Sequence, residues 1–251
     1  MPTYTDEAVV LRTHKLGEAD RIITLLSRQH GKVRAVAKGV RRTSSKFGAR
    51  LEPFTHVDLQ FVTGRSLDVI TQAVTLHPYS EPLGRDYERY TTGQVMIETA
   101  DRLVVEEGQP ALRQYQLLLG GLQALTMGTV DGPRPAVMVM DAYLLRAITV
   151  AGYAPNLSEC ARCGAAGPHE AFSPVMGGLV CRRCRPPGSA LVTPQTIAYL
   201  GALSSGDWIA TREIPDATLR QGSGVVAAFL SWQLERGLRS LRHLDRAAAG
   251  A

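Results

Sequence analysis

The pairs Cys160-Ala-Arg-Cys163 and Cys181-Arg-Arg-Cys184, with 17 residues between them, constrain this chain more than any other feature. A C-x-x-C turn points two sulfurs at one place, and two such turns at this separation complete a tetrahedron of thiolates. Residues 157–188 hold all the cysteines and must fold back until the two turns meet. Gly164 suits the tight turn after the first pair, and Gly177 and Gly178 suit a hairpin before the second. Arg162, Arg182, Arg183 and Arg185 can offset the negative charge of a four-thiolate centre. Two disulfides would require an oxidising compartment. A redox C-x-x-C would require a βαβ setting. Catalytic zinc would need an open coordination position, and His169, the alternative ligand, sits in mid-loop. The spacing predicts one structural Zn2+ on Cys160, Cys163, Cys181 and Cys184, whose binding energy is also folding energy.

The first third reads as β. "EAVVLRTHK" and "DRIITLLSRQ" are β-branched and apolar, and "GKVRAVAKG" alternates. Val33, Ala35 and Ala37 take one face of that last strand, and Lys32, Arg34 and Lys38 the other. "THVDLQFVTG" alternates again, and "GRS" turns the chain into "LDVITQAVTL". Five strands with a long basic loop between the third and fourth predict a small closed barrel of OB type, with an SH3-like barrel as the alternative. The positive charge is concentrated in the same region. The net charge is +5, and residues 1–80 carry 12 Lys/Arg against 7 Asp/Glu while the remainder is balanced. From Arg21 to Leu51 there are nine basic residues and no acid. Such a field suits a polyanion (DNA, RNA or an acidic membrane surface), and otherwise serves as a solvated face.

After Pro78 the periodicity becomes helical. "RDYERYTTGQVMIETADRLVVEE", "QPALRQYQLLLGGLQALTMG" and "AVMVMDAYLLRAITVAGY" predict three helices, the last buried on most sides. Met127, Met138 and Met140 are expected in the core. A fourth helix restarts at "TPQTIAYLGALSSG", with Thr193 as N-cap and Pro194 at the first helical position. A final helix is expected from Ser223 to Arg246. Val226, Leu230, Leu234, Leu238 and Leu241 share one side of it, and Arg236, Arg239, Arg242 and Arg246 form a stripe beside them. That stripe is a solvated face or a second anion site.

The expected class is a multidomain α+β protein: a five-stranded OB-fold β-barrel, then an α-helical bundle with an embedded four-cysteine zinc module. The expected divisions are 1–79 for the barrel, 80–156 and 189–251 for the helical parts, and 157–188 for the zinc module. The first residues lack the apolar core of a signal peptide, and no apolar run is long enough to span a bilayer. A cytoplasmic protein with no membrane partner is expected. Phosphate-loop, H-E-x-x-H, G-x-S-x-G and G-x-G-x-x-G motifs are absent, so the chain reads as a nucleic-acid binder and not as an enzyme.

The stretch Glu7 to Phe54, with "GEADRIITL", "GKVRAVAKG" and "LEPF" in order, resembles the N-terminal domain of the RecO family, bacterial recombination mediators and DNA repair proteins. "GYAPNLSECARCG" and "GGLVCRRC" resemble that family's zinc module. The resemblance implies an OB-fold, a helical bundle and the zinc module. It also implies binding of single- and double-stranded DNA at the nucleoid and annealing of complementary strands without ATP. The implied partners are RecR, in recombinase loading, and the C-terminal tail of single-strand-binding protein, with the arginine stripe as its candidate seat. The best candidate phosphate contacts are Arg34, Lys38, Arg41, Arg42, Lys46 and Arg50, followed by Lys15, Arg21 and Lys32. Phe47 is the candidate base stacker and Phe54 a core residue. Other classes that the same residues permit are an RNA-binding zinc-ribbon protein of translation or ribosome assembly, and an adaptor whose basic loop is incidental.

Overall fold

A computed structural model describes residues 2–234, in two compact units: one is Met1–Thr126 and the other begins at Met127. The first unit opens with β1 (Thr3–Leu16), β2 (Asp20–Ser27), β3 (Gly31–Ala37), β4 (Thr55–Val62) and β5 (Asp68–Pro78). They close into a barrel in the order β1-β2-β3-β5-β4. One long strand makes closure possible. Residues Thr3 to Val9 of β1 pair with β4, and residues Ala8 to Leu16 pair with β2, with a register shift between Val10 and Arg12. Such a shift bends a strand and lets it serve two neighbours. The final seam is a short parallel contact, Ala35 to Asp68 and Val36 to Val69, between β3 and β5. This closed order with its single parallel seam is the OB topology.

The period-2 pattern decides what the barrel encloses. Ala8, Val10, Ile23, Leu25, Val33, Ala35, Val57, Leu59, Phe61 and Ile70 fill the interior. Each fully buried Ile, Leu, Val or Phe contributes roughly 1.5–3 kcal/mol of transfer free energy. The turn between β2 and β3 requires Gly31. Its φ is +63°, and a Cβ there would lie 1.8 Å from the carbonyl oxygen of Gln109.

The same unit continues with α1 (Ser80–Gly84), α2 (Tyr87–Leu103) and α3 (Leu112–Met127). Asp86 caps α2 by accepting the backbone N–H of Arg89 at 3.1 Å. Beyond its first turn α2 buries Val95, Met96, Ile97 and Ala100. Tyr115, Leu118, Leu122 and Leu125 form the buried stripe of α3. Met127, expected in the core, is 74% exposed because it follows that stripe at the helix end; Met138 and Met140 are buried as expected.

The second unit is built on α4 (Ala136–Val150), α5 (Pro194–Ser205) and α6 (Asp216–Gln233), which pack on one another. α4 is buried on most sides. Thr193 caps α5 through the Thr196 N–H, and Pro194 occupies its first turn. α6 approaches α5 closely at Gly222, where a Cβ would lie 2.7 Å from the Tyr199 ring. The described part of the last helix begins at Asp216, earlier than expected, because Pro215 and Asp216 supply its start. Leu238, Leu241 and the arginines 236, 239, 242 and 246 lie outside the described residues. Between α4 and α5 the chain forms β6 (Ala171–Ser173), β7 (Gly178–Val180) and β8 (Ala190–Leu191), a small sheet in the order β7-β6-β8. Among the described residues no helix is long and apolar enough to cross a membrane.

Candidate nucleic-acid interface and metal centre

The barrel gathers the basic residues of the first third into two groups with different electrostatics. In the first group each cation has an acid. Arg21 meets Glu52 at 2.7 Å, Arg28 meets Glu7 at 3.3 Å, Lys32 meets Asp101 at 2.9 Å and Arg34 meets Glu107 at 3.3 Å. The acid-free stretch is therefore partly neutralised in space, by carboxylates that come from elsewhere in the chain. The second group lies on the loop between β3 and β4. Among the described residues Lys38, Arg41, Arg42, Lys46 and Arg50 have no carboxylate within ion-pair distance, and all are exposed.

The loop is nevertheless ordered by its own hydrogen bonds. The Gly39 N–H donates to Asp20 at 2.7 Å, and the Arg41 guanidinium donates to the Glu18 carbonyl at 2.8 Å. These bonds hold the start of the loop beside the β1–β2 turn. Lys15 is exposed on the strand that leads into that turn and pairs in register with Arg21. Farther along, the Lys46 ammonium donates to the Thr71 carbonyl at 2.7 Å, and Arg50 donates to the Lys46 carbonyl at 2.6 Å. Lys46 and Arg50 line an open cleft of about 730 Å³, with Glu52, Thr55, Thr75, Ser80 and Glu81 among the other walls. A row of cations held by neutral carbonyls keeps its charge available to an external anion, whereas the field of an ion-paired cation is already largely cancelled.

Two expectations are corrected here. Phe47 is 2% exposed and belongs to the barrel core, so its ring has no face for a base. The 3-10 turn Gly48–Leu51 folds Phe47 and Leu51 inward together, and Lys46 lies over the Phe47 ring at 5.3 Å. Lys32 is 12% exposed at its side chain and donates to both the carboxylate and the carbonyl of Asp101, so it is an internal strut with little surface left for a phosphate. Arg21 and Arg34 keep partial exposure but share their charge with acids. Phe54 is buried, as expected, although its backbone takes φ +71°. That conformation costs a bulky residue of order 1–2 kcal/mol, and the buried ring against Gly93 offsets it. Sequence reading missed Asp101 and Glu107 because nothing local marks them: they lie 69 and 73 residues from the cations they meet.

The cysteines do converge. The Sγ atoms of Cys160, Cys163, Cys181 and Cys184 all lie within 4.8 Å of one another, and Cys163 and Cys181 are 3.9 Å apart. A tetrahedron with Zn–S bonds of about 2.3 Å places its sulfurs about 3.8 Å apart, so the cluster has the size that zinc needs. Among the described residues no other group of His, Cys, Asp and Glu of this kind exists. The turns make the geometry: the Gly164 N–H bonds the Cys160 carbonyl at 2.8 Å, and the Cys184 N–H bonds the Cys181 carbonyl at 3.0 Å. The Cys181 backbone N–H, with smaller help from neighbours, pulls the Cys160 thiol down to about 6. Cys184 shares its S–H with the Cys181 and Cys163 sulfurs, which favours its protonated form and pushes it up to about 12. A divalent cation in place of the shared protons would relieve that crowding. His169 stands apart, bonded to the Ala165 carbonyl at 2.9 Å. Phe172 of β6 packs edge-on against Phe229 of α6 at 5.8 Å, which ties the module to the helices.

Comparison with known proteins agrees with this architecture from end to end. Residues 1–79 match the family model "Recombination protein O N terminal", and residues 84–242 match "Recombination protein O C terminal". A DNA repair protein RecO of Cutibacterium acnes is 60% identical over 98% of this chain and 100% of its own length. One from Nocardioides sp. is 59% identical over 97% of this chain and 99% of its own, and one from Thermobifida fusca is 56% identical over 98% and 100%. The chain belongs to the RecO family of DNA repair proteins.

Proposed function

We propose that this protein binds DNA through the loop between β3 and β4 and anneals complementary strands without ATP, assisting recombinase loading together with RecR. The observation that carries the reading is the set of five exposed loop cations, with no carboxylate partner among the described residues, beside Lys15 at the β1–β2 turn. Two DNA strands repel each other. A surface that holds both backbones screens that repulsion, and base pairing and stacking then supply the free energy. Lys15, Lys38, Arg41, Arg42, Lys46 and Arg50 contact phosphates in this mechanism. Arg21 and Arg34 contribute less because Glu52 and Glu107 compete for them. The cysteine cluster holds one structural Zn2+ that keeps residues 157–188 folded and takes no part in strand contact. The acidic tail of single-strand-binding protein is a further proposed partner, and its seat is assigned to no described residue.

Salt dependence tests the reading. Six neutralised phosphates on a single strand give a slope of log K against log salt of roughly −4. Replacing Lys38, Arg41 and Arg42 by alanine should flatten the slope by about 2 and leave the melting temperature nearly unchanged. Lys32→Ala should do the reverse. It leaves Asp101 with the half-exposed Arg12 at 3.3 Å, so the protein loses roughly 2 kcal/mol of stability while the slope holds. If the triple variant keeps the wild-type slope, the DNA site is elsewhere. Competition between single-stranded DNA and a structured RNA separates this function from an RNA-binding role.

A further inference from the structure

With Phe47 buried, the cationic loop has no aromatic surface of its own, yet the first turn of α2 supplies one. Tyr87 is 66% exposed and Tyr90 41% exposed, while from Thr91 onward most of the helix is buried. The two are three residues apart, so they stand on one face as neighbours. Tyr90 is not a loose surface residue. Its ring meets Phe54 edge-on at 5.5 Å, and Phe54 is itself fully buried against Gly93.

The cleft of the cationic loop is reached from Tyr90 through Phe54, whose chain neighbours are among its walls, although the two tyrosines are not. Glu52 and Thr55, on either side of Phe54, line that cleft together with Lys46 and Arg50. So do Ser80 and Glu81 of α1, the short helix that leads into α2. The nearby cations of α1 and α2 are already engaged, Arg85 with Glu81 at 2.7 Å and Arg89 with Asp86 at 3.3 Å. Phosphate attraction therefore comes from the loop, and the apolar surface comes from the tyrosines. An exposed tyrosine by itself needs no explanation. Two on one face, one of them seated on a buried ring whose chain neighbours line the cleft of Lys46 and Arg50, have the surface that unpaired bases need. Stacking on such rings tolerates any sequence because every base has a π-face.

We propose that Tyr87 and Tyr90 are a base-stacking platform for single-stranded nucleic acid whose phosphates lie on Lys46 and Arg50. This rests on the DNA-binding reading above and adds the bases to it. A strand held by its bases on the tyrosines and by its phosphates in the cleft is splayed, with the remaining base edges free to pair.

The test uses the full chain, a fluorescein-labelled oligo-dT, and an abasic oligonucleotide of the same length. Tyr87→Ala/Tyr90→Ala should weaken oligo-dT binding by at least tenfold with the salt slope unchanged. On the abasic strand, variant and wild type should bind alike. Tyr87→Phe/Tyr90→Phe should retain wild-type affinity, since the ring and not the hydroxyl carries the contact. Tyr87→Ala alone guards against misfolding, because that side chain is largely in solvent, and it should lose several-fold with the melting temperature unchanged. Equal oligo-dT affinity for wild type and both alanine variants would overturn the platform and leave the pair as a contact for protein. An equal loss on the abasic strand would overturn it too. A wild-type chain that ignores oligo-dT at low salt would instead sink the DNA-binding reading itself.

Discussion

Asp141 shows how much a single side chain can weigh. It is fully buried in α4. Among the described residues its one hydrogen bond is a 3.3 Å donation from the Ser223 hydroxyl to Oδ1, and Oδ2 has no partner. Burial pushes its carboxyl up to about 8. The folded state therefore keeps a proton that the unfolded chain, with an ordinary carboxyl near 3.9, gives up. Asp141 costs nothing below about pH 4. Above that it destabilises the fold progressively until the pH passes its folded value, because the unfolded state is favoured by ionisation. Asp141→Asn removes the titration and keeps the shape. It should stabilise the protein by about 2 kcal/mol at pH 7, after an allowance for the unpaired amide hydrogen, and flatten the pH dependence between about 4 and 8. Thermal unfolding of wild type and Asp141→Asn at pH 4, 6 and 8 checks this, and a difference in melting temperature between the two that does not grow with pH would refute it. His56 has the opposite slope. Burial lowers its pKa while its Nε2 lies 2.8 Å from the Tyr115 hydroxyl, so its contribution is complete above about 6.5 and is lost as the pH falls.

At the scale of elements, the four-cysteine module has the least packing of its own. Its strands have three, three and two residues, too few to be stable without help. Around the sulfurs the buried cluster is small, Cys160, Ala171 and Val180 with Met176, Cys181 and Cys184 packed against it, while Phe172 packs toward α6. A metal held by the four sulfurs would supply the missing cohesion. Purified protein should contain one zinc per chain. A strong chelator, or Cys163→Ser, should release the metal, lower the melting temperature and open residues 157–188 to protease, while hydrogen exchange in the barrel strands stays slow. A chelated protein with unchanged proteolysis would show that the turns hold themselves. The barrel makes the contrasting case. β1 is long, bends at one register shift and pairs on both edges, so backbone hydrogen bonds close it without a ligand.

For the whole molecule the quantity that matters is where the positive field remains after folding. The net charge of +5 is modest, and five cations of the first third, Arg12, Arg21, Arg28, Lys32 and Arg34, are matched by acids from other segments. What is left in the first third lies mainly on the loop after β3, with Lys15 and Arg65 besides, and a field of exposed charges is screened within about 10 Å at 0.1 M salt. Annealing of complementary oligonucleotides by the full chain should therefore be fast in dilute buffer and fall toward the protein-free rate by about 0.5 M salt. A chelator should slow annealing only as the zinc module unfolds. Annealing that survives high salt would show that base contacts dominate the backbone contacts.

Local pattern was enough for the elements and for the cysteines that cluster. Alternation in "GKVRAVAKG" put Val33, Ala35 and Ala37 inside, Thr193-Pro194 marked the start of α5, and the C-x2-C spacing named four sulfurs that meet within 4.8 Å. Each of these depends on residues a few positions apart, where chain geometry leaves little choice. The partners across space were not legible. Lys32 and Arg34 look as free as Lys38 and Arg42 along the chain, and only the packing of the end of α2 and the segment after it brings Asp101 and Glu107 to them. Phe47 and Phe54 sit in the same basic neighbourhood, and the 3-10 turn drives the first inward while the second becomes the seat of Tyr90. Periodicity records which side of an element is apolar. Which cations stay unpaired, and which rings stay uncovered, is decided by contacts between residues far apart in sequence, and those exist only once the chain has folded.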